Sequence, residues 1–239
     1  MQEHRSGYVS IIGSNFLYPI VRLFEELEKM GPKPPNEVQA GPYENGYSVA
    51  IIGLSIFMVE SYINRARFII DSKIPIPGKH NALTFFKKQF DQNELYEKLR
   101  ELFVVRDTIV HNHPWEAMIS SSADGLKFEV QPQHPSDKYG DKKFLNAIDL
   151  PSRKTKILKI NLFPTRISYD DVKEVLKTSY EILTFIESTN KEYCVISYLP
   201  VNFYGKAVSF SDFIESLDEP VSERFTKKDD DDIAERVPD

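Results

Sequence analysis

Residues 102–113 read Leu-Phe-Val-Val-Arg-Asp-Thr-Ile-Val-His-Asn-His and close a segment of clear helical periodicity. Apolar residues recur in this segment at the three- and four-residue spacing of one helix face. They are Leu95, Leu99, Leu102, Phe103, Ile109 and Val110. Arg106 and His113 occupy positions on the same face. Because an arginine is rarely buried without a partner, Arg106 indicates that this site needs a fixed positive charge.

The periodicity of the rest of the chain predicts a mainly helical fold. Helices are expected over residues 15–30, 47–70, 81–90, 93–112, 168–188 and 210–217. Ser14 and Ser168 are candidate N-caps. Strands are expected over residues 126–131, 156–162 and 193–198. We therefore expect a single helical domain over residues 1–217, with a partly β insert over residues 114–166 that contains a small hairpin.

Composition narrows the class of protein. The chain has 239 residues, of which 41% are hydrophobic, enough to build a sizeable core. Its one cysteine, Cys194, excludes an intramolecular disulfide, and the N-terminal residues do not resemble a signal peptide, so we expect a cytoplasmic protein. The most apolar run, residues 49–59, is about half the length that spans a bilayer, so we interpret it as a buried helix and expect no membrane partner.

Charge is unevenly distributed along the chain. Residues 218–239 carry nine acidic and four basic side chains, and we predict that this acidic tail is disordered. We interpret it as a solvating tail, with a self-inhibitory mimic of nucleic acid as the alternative. Residues 137–166 carry eight basic and three acidic side chains, which would suit a phosphate backbone or simply a solvated loop. The candidate RNA-binding residues are Lys142, Lys143, Arg153, Lys154 and Lys156.

Two polar residues, Glu60 and Asn64, lie beside the apolar stripe of the second predicted helix. Glu60 either pairs with Asn64, one turn further along the same helix, or orients Arg106 from a neighbouring helix. The sequence leaves both alternatives open.

The residues around Arg106 suit the cleavage of RNA without a metal. One histidine can take the proton of the 2′-hydroxyl or give one to the leaving oxygen, since histidine titrates near neutral pH. Arginine can bind the scissile phosphate with two donors. Asp107 and His111 are one turn apart and can hydrogen-bond, while Arg106 and His113 share a face. We expect no cofactor.

Other chemistries fit these residues less well. A metal site is disfavoured because His111 and His113 diverge by about 200° on a helix and Glu116 is the only carboxylate close by. A cysteine nucleophile is disfavoured because Cys194 lies among apolar residues with no adjacent histidine. The plainest alternative makes Arg106 a core ion-pair residue and the histidines helix-end caps.

The segment from Leu102 to His113 resembles the motif of the HEPN superfamily: an arginine, usually followed by a polar residue, and then a histidine after four to six residues. Arg106 is followed here by Asp107; His111 fits the four-residue spacing and His113 the six-residue spacing. The resemblance implies an up-and-down helical bundle and, for many members, a metal-independent ribonuclease that acts as a homodimer with two motifs lining one cleft.

Carried onto this sequence, the resemblance implies that Arg106 contacts the phosphate, that His111 is the main acid and base, and that Asp107 orients it. His113 is a further catalytic candidate, and Glu60, Asn64 and Asn112 are candidate supporting residues. One subgroup has a tyrosine two residues after the histidine. This chain has His113 there, so regulation by tyrosine modification is not implied.

The function expected from the residues and the resemblance is that of an endoribonuclease. It would be a toxin of a toxin–antitoxin, abortive-infection or CRISPR-linked defence system, with RNA as substrate and an antitoxin or defence partner. The alternative is a catalytically inactive HEPN-like module that binds RNA or protein.

Overall fold

The computed structural model describes residues 12–30, 40–73, 78, 81–111, 115–122, 125–132 and 142–219. Within these ranges the chain is mainly helical, as the sequence predicts. The α-helices are α1 (Leu17–Glu28), α2 (Pro42–Lys73), α3 (Ala82–Phe90), α4 (Asn93–His111), α5 (Lys142–Ala147), α6 (Tyr169–Thr189) and α7 (Phe210–Ser216). The strands are β1 (Trp115–Ser122), β2 (Gly125–Pro132), β3 (Ile148–Asp149), β4 (Lys154–Thr155), β5 (Pro200–Phe203) and β6 (Lys206–Ser209).

Helix α2 is the centre of the fold, because it packs against α1, α3, α4 and α6. Its buried face includes most of the apolar stripe predicted for it, and the predicted faces of α1 and α6 are buried throughout. The buried residues of the predicted faces are Ile52, Ile56, Val59 and Ile63 on α2, Leu17, Ile20, Val21, Phe24 and Leu27 on α1, and Val172, Val175, Leu176, Ser179, Ile182, Leu183 and Ile186 on α6. Each large apolar side chain buried in this way contributes roughly 1.5–3 kcal/mol.

In the described part of the chain, one helix, α2, is long and apolar enough to cross a membrane. Half of its most apolar window is buried inside the protein, as in the core helix of a globular domain. The expectation of a cytoplasmic protein stays a prediction.

The helix ends differ from prediction in two places. Ser14 is not the N-cap of α1, because residues Gly13–Phe16 form a short 3-10 helix that runs directly into α1. Helix α2 begins at Pro42, earlier than predicted, since proline is tolerated in the first turn. Ser168 does cap α6: its side chain and that of Asp171 form a reciprocal capping box.

The insert contains a small hairpin, as predicted, but its first strand was not among the predicted strands. Strands β1 and β2 pair antiparallel directly after α4, and β2 covers the predicted strand 126–131. The predicted strand 156–162 is wrong. The Glu101 carboxylate accepts the backbone N–H groups of Ile157 and Leu158, and Lys159 has a positive φ of 57°, so this backbone is turned and cannot form a ladder.

The predicted strand 193–198 is also wrong. The Glu187 carboxylate accepts the N–H groups of Ile196 and Ser197, which removes the donors that a strand would need. The hairpin of β5 and β6 was not predicted. Its turn, Tyr204-Gly205, has positive φ at both residues, a geometry usually marked by Asn-Gly rather than Tyr-Gly.

The structure describes only the first two residues of the acidic tail. Asp218 and Glu219 are placed, and the prediction of disorder for the rest of the tail concerns residues outside the described ranges.

Candidate functional site

Arg106 lies where α4 crosses α2, and an ion pair joins the two helices there. Its Nη1 donates to Glu60 Oε2 at 2.6 Å. Both side chains are largely shielded from solvent, with exposed fractions of 21% for Arg106 and 33% for Glu60. Of the two alternatives for Glu60, the structure shows the contact with Arg106.

Asp107 provides a second carboxylate for the same guanidinium. Its Oδ1 accepts from Arg106 Nε at 3.1 Å and from Nη2 at 2.9 Å. The Phe103 ring, one turn earlier on α4, lies 4.4 Å from the guanidinium carbon, so the cation also stacks on an aromatic face. Arg106 is therefore fixed by one residue from α2 and two from α4.

These contacts leave part of the guanidinium available for a ligand. A guanidinium has five N–H donors, and three are used by Glu60 and Asp107. Among the described residues, no further hydrogen bond takes the second N–H of Nη1 or of Nη2. Two donors in one plane match two oxygens of a phosphate or carboxylate. An anion that approaches them also meets two carboxylates, so other cations must contribute to its binding.

The histidine part of the motif is only partly placed. His111 is the last residue of α4, but its side chain, like Asn112 and His113 as a whole, lies outside what the structure describes. The proposed hydrogen bond between Asp107 and His111 stays a prediction. Asp107 accepts two hydrogen bonds from Arg106.

Asn64 and Val110 do not have the contacts or the burial that the sequence suggested. Asn64 is half-buried one turn after Glu60, and in the described structure no hydrogen bond joins the two. Val110 was expected on the buried face of α4 but is 58% exposed. Val104 and Val105 are buried instead, so the core-facing surface of α4 is rotated towards them and Arg106 lies at its edge.

The structure describes only part of the basic cluster predicted in the insert. Lys142 and Lys143 open α5, and their side chains lie outside the described part. Arg153 is 5.9 Å from the Phe163 ring, and Lys154 begins β4. Lys156 is exposed and donates from Nζ to the Leu145 carbonyl at 3.4 Å. A role for these residues in RNA binding stays a prediction.

Glu101 is a structural residue of the motif helix that was not predicted from the sequence. It is fully buried on α4, and its carboxylate accepts the N–H of Ile157 at 2.9 Å and that of Leu158 at 2.9 Å. It fixes the segment that carries Lys156 and Lys159 onto the motif helix. On an ideal helix Glu101 and Arg106 are about 140° apart, so this segment contacts a different flank of α4. A glutamate among core-facing positions was the available sequence signal.

Cys194 is no candidate nucleophile. Its side chain is buried, and burial raises the pKa of its thiol far above the ordinary range, with the Glu187 carboxylate adding to the effect. A thiolate is the reactive form, so this cysteine is held in its inert state. Among the described residues no group of three or more His, Cys, Asp or Glu side chains is placed to hold a metal ion.

Comparison with known proteins gives no relative for this chain. No family model, no curated protein and no solved structure matches it.

Proposed function

We propose that this protein is a metal-independent endoribonuclease in which Arg106 binds the scissile phosphate and His111 acts as acid and base. The observation that carries the proposal is the arrangement of Arg106. Its guanidinium is fixed by Glu60 and by Asp107, two of its N–H donors have no acceptor among the described residues, and the helix that bears it ends at His111. A guanidinium that is already oriented loses little entropy when negative charge builds on the phosphate.

The roles of the chain's residues follow from their chemistry. His111 or His113 would remove the 2′-hydroxyl proton, and the imidazolium so formed, or a second histidine, would protonate the leaving 5′-oxygen. Attack by the 2′-oxygen forms a 2′,3′-cyclic phosphate and breaks the bond to the 5′-oxygen. Because the nucleophile is the 2′-hydroxyl, the substrate must be RNA. We further propose that the enzyme is a homodimer and a toxin of a defence system, held in check by an antitoxin or another partner of that system.

The test is cleavage of a fluorogenic RNA in the presence of EDTA. We expect activity to persist, with products that end in 2′,3′-cyclic phosphate, and to fall at least about a hundredfold in Arg106→Ala and in His111→Ala. Arg100→Ala is the matched control. Arg100 lies on the same helix, is 22% exposed and pairs with Glu97, so its loss removes a comparable cation away from the motif.

Three experimental results would each contradict a part of this proposal. Loss of all cleavage on chelation excludes this mechanism. If His111→Ala cleaves normally and His113→Ala does not, the second histidine is the acid and base. If the wild-type protein arrests growth when expressed and His111→Ala arrests it equally, the toxicity does not come from this site.

A second candidate function is a silent module that binds RNA or protein. The observation that favours it is the pair of carboxylates on one guanidinium, because Glu60 and Asp107 already neutralise Arg106. In that case Arg106→Ala lowers the free energy of unfolding but changes no cleavage rate, and RNA that binds the protein is recovered intact.

A further inference from the structure

Residues 153–159 form a densely basic part of the surface, which we name the basic segment. It has no acidic residue, and its four basic side chains are those of Arg153, Lys154, Lys156 and Lys159. Lys156 and Lys159 are exposed, and the other two are half-buried. A short stretch of chain therefore presents four positive charges, two of them on fully exposed residues.

The carboxylates near the basic segment do not neutralise it. Two buried carboxylates, those of Glu101 and Asp171, lie beside it and accept backbone N–H groups. Elsewhere on the surface Lys73 pairs with a carboxylate, but within the described ranges no carboxylate pairs with Lys156 or Lys159. Four positive charges and two negative ones leave a net charge of +2 at this surface.

The backbone of the basic segment is fixed, and two of its basic residues occupy unfavourable positions. The Thr155 N–H donates to the Ile160 carbonyl at 2.9 Å, and the Thr155 hydroxyl accepts the Ile160 N–H at 3.0 Å. Arg153 and Lys159 each have a φ of 57°, in the left-handed region, where a residue other than glycine costs roughly 1–2 kcal/mol. Because glycine would cost less there, these cations point to a use for their charge rather than to a need of folding.

The C-terminal tail leaves the folded body close to the basic segment. Asp218, the second-last described residue, pairs with Lys177 on α6. Asp171, six residues earlier on the same helix, accepts the N–H of Asn161, just after the basic segment. Six residues of helix rise about 9 Å. The start of the tail and the end of the basic segment are therefore both attached to the N-terminal half of α6.

The tail contains a run of opposite charge that can reach the basic segment. Residues 229–235, beyond the described part of the chain, have five acidic side chains and no basic one, and four of the five are consecutive aspartates. Asp229 comes ten residues after Glu219, and ten extended residues span up to about 33 Å, well beyond the rise between the two attachment points. A short tether of this kind gives an effective concentration in the millimolar range, so even a weak contact is populated.

We infer that residues 229–235 bind the basic segment of the same chain and compete there with other polyanions. The basic segment supplies cations held in fixed positions, and the tail supplies the carboxylates that complement them. Because the charges on both sides are exposed, salt or a stronger polyanion displaces the tail. For RNA, the tail holds back binding until phosphates replace its carboxylates. That consequence rests on the proposed function, whereas the contact within the chain does not.

The first experiment measures the binding of a short fluorescent single-stranded DNA by anisotropy at low salt. DNA carries the phosphates but lacks the 2′-hydroxyl, so the proposed nuclease does not cleave it. Binding should tighten by at least about tenfold when four aspartates are changed together to asparagine. They are Asp229, Asp230, Asp231 and Asp232.

The matched control changes the net charge equally at a distance from the tail. Four exposed carboxylates are converted to amides, at Asp71, Asp91, Glu94 and Glu215. Binding of the DNA should change by less than about threefold, because a general change in net charge affects association only through the long-range field. If the control tightens binding as much as the tail variant does, the tail has no specific role.

A second pair of variants separates docking of the tail from simple repulsion. Lys156→Gln combined with Lys159→Asn removes the two exposed cations, and asparagine tolerates the positive φ of residue 159. Neither lysine has a carboxylate partner among the described residues, so the melting temperature should stay that of the wild type. In this background the four aspartate changes should alter DNA binding by less than about twofold. An equal gain in both backgrounds means that the tail only repels polyanions, and it overturns the inference.

Cross-linking tests the contact directly. A carbodiimide joins a carboxylate to an amine with loss of water, so it links groups that touch. Mass spectrometry should find residues 229–235 linked to Lys156 or Lys159, with a yield that does not depend on protein concentration. The link should disappear in 1 M NaCl, where the Debye length is about 3 Å. Links that reach only other lysines, or that form only between light and heavy isotope-labelled copies, overturn the contact.

None of these measurements depends on catalysis. A chain that shows the link and the gain in DNA binding but cleaves no RNA keeps this inference and contradicts the proposed function alone. A chain that cleaves RNA but shows neither result does the reverse. DNA that binds neither the wild type nor the aspartate variant overturns the competition, because the basic segment is then no site for a polyanion.

Discussion

The ion pair between Glu60 and Arg106 should contribute measurably to stability, and a double-mutant cycle can isolate its coupling energy. The variants are Glu60→Gln, Arg106→Met and the two combined. Methionine keeps an apolar chain against Phe103 while removing the charge. Exposed ion pairs contribute about 0.2–1 kcal/mol, and breaking a buried pair costs about 3–5 kcal/mol. With exposed fractions of 21% and 33% this pair falls between the two, so we expect about 1–2 kcal/mol.

The coupling should exceed that of an ordinary helical pair because Arg106 is already held in place. Asp107 and the Phe103 ring fix its guanidinium, so little side-chain entropy is lost when Glu60 binds. Glu97 and Arg100 are the matched control. They are exposed by 34% and 22%, nearly the same fractions, but lie within one turn of α4, where coupling is about 0.3–0.5 kcal/mol.

The assay is urea unfolding at a fixed protein concentration and at low salt. The coupling of Glu60 and Arg106 should fall in 1 M NaCl, where the Debye length is about 3 Å. If the two cycles give the same coupling within error, the contact between α2 and α4 does not hold the guanidinium, and the support it gives to the proposed site is lost.

Three further predictions concern the surrounding fold. Glu101→Ala should lower the free energy of unfolding in urea by about 2–3 kcal/mol, because two N–H groups lose their acceptor and that of Leu158 is buried; a change under about 0.5 kcal/mol contradicts the anchoring role. Above about pH 8.5 the free energy of unfolding should fall by up to about 1.4 kcal/mol per pH unit. Burial raises the pKa of Cys194, so the folded thiol keeps a proton that the unfolded thiol loses. Cys194→Ala should make this slope smaller in thermal melts recorded at several pH values. Asn81→Ala should cost about 1 kcal/mol by the same urea assay, because the Asn81 side chain accepts the Thr84 N–H at 2.8 Å at the start of α3; no change there means that α3 does not depend on its cap.

The helices could be predicted from the sequence because their burial follows a single period. Every apolar position assigned to α1 and α6 is buried, and Ser168 caps α6 as its position before two aspartates indicated. Packing on one face fixes a helix with little help from distant residues. Where a helix end depends on neighbours, the prediction failed, as at Ser14, which lies in a 3-10 helix that the local pattern does not mark.

The short strands could not be predicted in the same way, since distant side chains decide them. Residues 156–162 have the composition of a strand, but the Glu101 carboxylate 56 residues earlier takes the N–H of Ile157. Residues 193–198 lose their donors to Glu187 for the same reason. A buried carboxylate is stable only where it accepts several hydrogen bonds, so it turns nearby backbone towards itself. The hydrophobic pattern of the turned segment does not indicate that a distant carboxylate will bind its N–H groups.

At the site, too, the local sequence pattern indicates some contacts, while others depend on side chains elsewhere. The contact of Arg106 with Glu60 was one of two alternatives, because a cation on an apolar face must meet an anion and Glu60 lies on the margin of the adjacent helix. The contact of Asp107 with the same cation was not predicted, since side-chain rotamers rather than spacing decide it. The predicted hydrogen bond between Asp107 and His111 stays a prediction, because the His111 side chain lies outside the described part of the chain.

Charge balance then limits how this site can work. One guanidinium lies between two carboxylates, so the described part of the site has a net charge of −1. A second copy of the chain would bring the net charge of two such sites to −2. An RNA phosphate can therefore be held only if further cations join, and the basic segment fixed by Glu101 lies on another flank of α4. A protonated imidazole at the end of the helix would be one such cation, since the negative end of a helix dipole favours positive charge. The histidines would then help to bind the phosphate as well as move protons.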